Sequence, residues 1–139
     1  MHSKSFAEEF VKTAVIFLAG GFIYGLIEII YRGNTHPSMF VLGGLCLVWI
    51  GGFDSFFRVT PPLWAQLLLG GTFITAAEFL CGLVYNVWLG MKVWDYSRLP
   101  MNIMGQICPM FFFIWVMISL PAIFLEDALR KAMSREKAA

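Results

Sequence analysis

Two glycines followed, after six further residues, by a glutamate occur twice in this chain: Gly20, Gly21 and Glu28, then Gly70, Gly71 and Glu78, fifty residues later. Both copies lie in apolar sequence. A carboxyl group inside a membrane span is costly and turns toward a partner, a cavity or a ligand path rather than lipid. Low dielectric disfavours its bare anion, so such a group serves as a proton carrier or as a neutral hydrogen-bond donor. Glu78 lies near the middle of its apolar stretch with no basic residue one turn away, and is the sharper candidate. Its structural alternative is an interhelical hydrogen bond with Asn86, Asn102 or Gln106. Glu28 has Arg32 four residues on, the spacing of an i, i+4 ion pair. Asp54 and Arg58 share that spacing and read as a helix-end anchor.

A second group is the run Trp94, Asp95, Tyr96, Ser97 and Arg98, which places ring, acid, hydroxyl and guanidinium side by side. It reads either as an interfacial turn with Asp95 accepting local backbone bonds, or as a lid or entrance to an interior site. Beyond it, Asn102 and Gln106 are four apart and Pro109 interrupts the helical ladder, so polar groups there line a cavity or pack around a kink. Enzyme signatures are weak. The two histidines, His2 and His36, cannot form a helical metal cluster, and neither a nucleophile elbow nor a glycine-rich phosphate loop is present. No catalytic residue, metal or cofactor is expected.

These residues must be positioned by membrane helices. Of 139 residues, 59% are hydrophobic and 14% charged, against about 25% charged in soluble domains. Four apolar stretches, Phe10 to Tyr31, Met39 to Phe57, Leu63 to Trp88 and Asn102 to Leu125, each approach the roughly 20 residues that cross about 30 Å of hydrocarbon. An all-α, polytopic four-transmembrane-helix bundle in one domain is expected. It leaves no room for a soluble catalytic or nucleotide-binding domain, and a net charge of +1 offers no footprint for nucleic acid. The first stretch is too long for a signal-peptide core and is read as a retained helix. Cys46, Cys81 and Cys108 are widely spaced within apolar sequence and read as small packing residues, not as a disulfide framework or zinc motif.

Basic residues orient the bundle. Lys4, Lys12, Arg58, Arg130, Lys131, Arg135 and Lys137 fall on one side, Arg32, Lys92 and Arg98 on the other, so both termini are expected in the cytoplasm. Ser5 and Glu8 form a candidate capping box. Glu126 with Arg130, and Asp127 with Lys131, support a polar helical tail. Trp49, Trp64, Trp88, Trp94 and Trp115 include several near span ends and read as interfacial anchors.

On a helical wheel Gly21, Gly25, Glu28 and Arg32 share a face, and Gly71, Thr75, Glu78 and Gly82 repeat the spacing. Small residues admit a neighbouring helix, which places the glutamate at the contact. Gly43 and Cys46 match Gly105 and Cys108 at an offset of 62, twelve more than the first landmark. The two landmarks together suggest an internal parallel two-helix repeat with a longer outer loop in the second half.

Thr35-His36-Pro37-Ser38-Met39, Gly43-Gly44, Glu78-Phe79 with Gly82, and above all Trp94-Asp95-Tyr96-Ser97 followed by Pro100, Asn102 and Gly105-Gln106-Ile107-Cys108 resemble the CmpB-like small membrane proteins, a family labelled "putative ABC-transporter type IV". The resemblance spans roughly Gly20 to Trp115. It implies a permease-like component that works with separate membrane or ATPase partners, since the chain has no ATP-binding motif.

The residues and the resemblance together lead to an expected bacterial inner-membrane protein. It would contact lipid, form a homodimer, and bind or translocate a small solute or ion along an interior polar face shaped by Glu28 and Glu78. Two other classes stand beside it: an accessory or assembly protein whose acids are structural, and a lipid-acting membrane enzyme using Asp95, Tyr96 and Ser97 at headgroup depth.

Overall fold

Long runs of Phe, Leu, Ile, Ala and Val, punctuated by proline and glycine, fold as helices because a helix satisfies every interior backbone group without water. The computed structural model describes residues 6–52 and 60–138, and side chains through residue 134. Ser5, Lys4, the Asp54 and Arg58 pair and the expected end of the second span at Phe57 lie outside the described residues, as do the side chains of Arg135 and Lys137.

Helix α1 runs Phe6–Arg32, with Glu8 and Glu9 in its first turn and Arg32 in its last, the charge order that complements the helix dipole. Gly33, at φ +80°, ends it. Helix α2, Pro37–Gly51, starts where Pro37 needs no hydrogen-bond acceptor and the His36 ring accepts from the Ser38 N–H at 3.2 Å. Helix α3, Leu63–Gly82, begins after Pro61-Pro62, where Gln66 Nε2 donates to the Pro61 carbonyl at 2.8 Å. It continues as a π-helical turn over Leu83–Trp88. Helix α4 runs Pro109–Ala138 and contains Pro121.

Three of these apolar helices, Phe6–Arg32, Leu63–Trp88 and Pro109–Ser134, have 27, 26 and 26 residues and are long enough to cross a membrane. Helix α2 is apolar and shorter over its described length. The chain is therefore an all-α, multi-pass membrane bundle. Phe22, Leu26, Ile30 and Met117 stay exposed, as lipid-facing residues do. The last helix starts at Pro109 rather than Asn102, because the preceding residues are committed to tight turns: Met101, Met104 and Gly105 all have positive φ.

The core forms from two antiparallel hairpins, α1 with α2 and α3 with α4. Each is closed by its glycine pair. A methyl group added at Gly20 would lie 2.6 Å from the Gly43 carbonyl oxygen, and one at Gly21 would lie 2.7 Å from that of Phe40. In the second hairpin an added group at Gly70 would lie 2.5 Å from Ser119 Oγ, and one at Gly71 would lie 3.1 Å from the Val116 backbone. Phe40 and Gly43 thus correspond to Val116 and Ser119 at an offset of 76, while the glycines keep their offset of 50. The hairpins repeat, but not through Gly43 and Cys46 with Gly105 and Cys108: the first pair lies within α2, the second in the loop before α4. The second connection is consequently longer by 26 residues, not twelve.

Candidate functional site

Glu78 is 2% exposed and faces the bundle interior from α3. It meets none of Asn86, Asn102 and Gln106. Instead the Tyr96 hydroxyl donates to Oε1 at 2.7 Å and the Trp115 indole N–H to Oε2 at 3.0 Å. One donor comes from the loop and the other from α4. Tyr96 stacks on Phe111 with ring centroids 4.5 Å apart, and Trp115 stacks on Tyr24 of α1 at 5.6 Å. The carboxyl group thus sits in an aromatic enclosure built from both hairpins. Thr75, one turn earlier on the same face, has a buried hydroxyl oxygen without a hydrogen-bond partner.

Glu28 is separate. It pairs with Arg32, as the spacing suggests, and the same guanidinium donates to the Val93 carbonyl. That second bond ties α1 to the start of the long loop.

The loop between α3 and α4 is a self-bonded plug. Asn86 Oδ1 accepts from the Val93 N–H at 2.6 Å and its amide donates to Gln106 Oε1 at 2.8 Å. The Trp94 indole donates to the Gln106 carbonyl at 3.0 Å, and the Tyr96 N–H donates to that of Gly105 at 2.7 Å. Asn102 bridges Ser97, Leu99 and Gly105. Gly105 needs its hydrogen-only side chain twice over: its φ is +71°, and an added Cβ would lie 3.1 Å from Asp95 Oδ1. Asn86, Asn102 and Gln106 therefore hold the loop that delivers Tyr96. Asp95, Tyr96 and Ser97 do not converge on one point. Asp95 is exposed and accepts the Ser97 N–H at 2.9 Å, a bond that holds its carboxyl below the ordinary range, while Tyr96 turns inward to Glu78. Arg98 is on the exposed side of the loop.

Beside this enclosure is an apolar cavity of about 360 Å³. Its walls come from α1, α2, α3 and α4 and include Gly20, Tyr24, Cys46, Ile74, Trp115 and Pro121. Tyr24 and Trp115 are shared between the cavity and the rings around Glu78.

The opposite end of the bundle holds a charged cluster that includes Glu126 and Arg130, which the sequence places in a polar helical tail. Glu126 is 3% exposed, bonded to Arg130 and packed on Gly51, whose missing side chain makes the space. Lys12 is 8% exposed and donates to Ser134 at 3.4 Å, and Glu9 lies 3.8 Å from both Lys12 and Arg130.

Two tryptophans read as interfacial anchors are interior, Trp94 and Trp115 each 6% exposed, whereas Trp64 and Trp88 are exposed. Tyr24 and Trp115 were missed as site residues. A signal for Trp115 existed: Trp115, Ser119 and Glu126 are spaced by four and seven, marking one buried stripe on α4. Tyr24 had one too: Ile16, Gly20 and Tyr24 recur every four residues as a buried stripe on α1.

Among the described residues no cluster of three or more metal-ligating side chains occurs. No curated protein and no solved structure matches the chain. The family model described as "Putative ABC-transporter type IV" matches residues 8–137, nearly the full described chain. The enclosure around Glu78, the loop that closes it and four apolar helices are thus those of a member of this family, and the chain belongs to the CmpB-like, ABC-transporter-type membrane proteins.

Proposed function

We propose that the chain is a permease-like subunit that receives an apolar or amphipathic molecule in the cavity between its two hairpins and works with a separate ATP-hydrolysing partner. The observation that carries this reading is the cavity itself. Its volume falls within the roughly 300–1,000 Å³ usual for ligand pockets, and its lining is aliphatic and aromatic. A hydrated solute gains little from such walls, whereas an alkyl or aryl group gains from leaving water. Glu28, paired with Arg32 away from the cavity lining, is in this reading structural. Both termini are taken as cytoplasmic and a second copy as the natural neighbour in the inner membrane.

Photolabelling in lipid nanodiscs with a diazirine-bearing alkyl alcohol tests the reading. Saturable adducts on Tyr24 and Cys46, lost when Cys46→Trp fills the cavity, are expected. Adducts confined to exposed residues such as Phe22, Leu26 and Met117 would overturn it.

One observation favours a second reading, an assembly protein with structural acids: both glutamates already have internal partners. A stoichiometric membrane partner that co-purifies from native lipid, together with no saturable label, selects that alternative.

A further inference from the structure

Glu78 is nearly inaccessible, and its two partners are neutral donors. Among the described residues no Lys or Arg lies within ion-pair distance of it. The nearest candidate by sequence register, Arg32, is engaged by Glu28 and the Val93 carbonyl. Lys12 is bound at the other end of the bundle to Ser134 and Glu9. Arg32 therefore acts on Glu78 only from beyond ion-pair distance and alongside the opposing Glu28. A buried carboxylate with no cation in contact is expensive, and two hydrogen bonds offset only part of that cost.

Among the described residues no cation lines the neighbouring cavity, whose wall toward Glu78 includes Tyr24 and Trp115. Trp115 links the two features, because the ring that lines the cavity donates its N–H to the carboxylate. A hydrogen bond to an anion pushes electron density back into the indole and strengthens the attraction of its π-system for a positive charge. The Tyr24 ring, stacked on Trp115, lines the same cavity.

The geometry points to a lipophilic organic cation as the ligand class: an aryl- or alkyl-substituted ammonium whose apolar body fills the cavity and whose charge rests against Tyr24 and Trp115, with Glu78 as its counter-ion behind the indole. This inference rests on the cavity-binding reading above. An inorganic cation fits poorly, since its hydration shell must be replaced by oxygen ligands and Tyr24 is the one lining residue with a side-chain oxygen among the described residues. An ammonium carrying methyl groups is weakly hydrated and loses less on entering an apolar, aromatic site.

The test is competition against the diazirine alcohol on the full chain in nanodiscs, using benzyltrimethylammonium and its uncharged carbon isostere, neopentylbenzene. The cation is expected to displace the label at least tenfold more effectively than the isostere. In Glu78→Gln the amide oxygen still accepts the Trp115 N–H, and the Tyr96 hydroxyl turns to accept from the amide nitrogen. The cation preference is expected to shrink toward one in that variant, while competition by the isostere holds. Equal competition by the two compounds in the unaltered protein overturns the cation inference and leaves the cavity reading standing. Absence of saturable alkyl labelling overturns both. The comparison in the unaltered chain needs no variant to fold.

Discussion

Glu28 and Glu78 hold the same register in two equivalent hairpins, yet they have opposite surroundings. Glu28 ends its helix beside a guanidinium, and only a short turn, Gly33 to His36, separates α1 from α2. Glu78 is followed by a π-helical turn and then a loop that runs to Cys108, folding back over its own hairpin to bring Tyr96 inward. Register does not set the chemistry of a repeated acid; what the next segment carries to it does. The first hairpin spends its acid on holding Arg32, which in turn holds the loop at Val93. The second leaves its acid with neutral donors next to an apolar cavity.

The contrast is sharpest if the donors are removed. Tyr96→Phe combined with Trp115→Phe strips both hydrogen bonds from Glu78, and thermal unfolding in lipid should show a loss of about 3 kcal/mol or more, since each unsatisfied buried acceptor costs about 1–3 kcal/mol. Glu28→Gln, by comparison, leaves an acceptor for Arg32 and keeps the Val93 contact, so its loss should be about 1 kcal/mol. Equal losses would erase the distinction between the two acids.

The glycine contacts test whether the hairpins are equivalent in packing as well as in register. Gly20→Ala meets the Gly43 carbonyl oxygen at 2.6 Å and Leu47 Cβ at 2.7 Å, neither of which can rotate away, whereas Gly70→Ala meets the Ser119 hydroxyl, which can, and Ser119 Cβ at the looser 2.9 Å. Both should destabilise, by about 1–3 kcal/mol as overpacking does, with Gly20 the worse. Gly25→Ala is the control: nothing lies within 4 Å of an added methyl, and higher helix propensity should make it neutral or stabilising by up to about 1 kcal/mol. A large loss at Gly25 would break the packing assignment.

The smallest effect belongs to the loop surface. The Ser97 N–H lowers the pKa of Asp95 from its ordinary 3.8, so the carboxylate favours the folded turn above that value, and this contribution is lost as pH falls through the lowered one. Fluorescence of Trp94 should therefore report loop loosening only on the acid side of pH 3.8. Asp95→Asn retains an oxygen for the Ser97 N–H and should remove that acid-dependent step. A transition that persists in this variant assigns it to another group.

Helical class and membrane character were legible because hydrophobicity and length act locally: an apolar run of this size has no alternative to a helix in a bilayer. The Glu28–Arg32 pair was legible for the same reason, being one turn apart. The Gly43 and Gly105 landmark misled, because a glycine and a cysteine three residues apart carry no information on whether either copy is helical.

The sequence by itself determined an all-α membrane bundle, the glycine-marked repeat and that Glu78, unlike Glu28, has no basic residue one turn away. Only the tertiary structure decided that Trp115 and Tyr96 bind that acid, that Asn86, Asn102 and Gln106 brace the loop, and that Tyr24 joins the enclosure to an apolar cavity. Those partners are separated from Glu78 by 18 and 37 residues. Their meeting depends on how two hairpins pack and where a loop folds back, quantities to which helical periodicity within any one segment is blind.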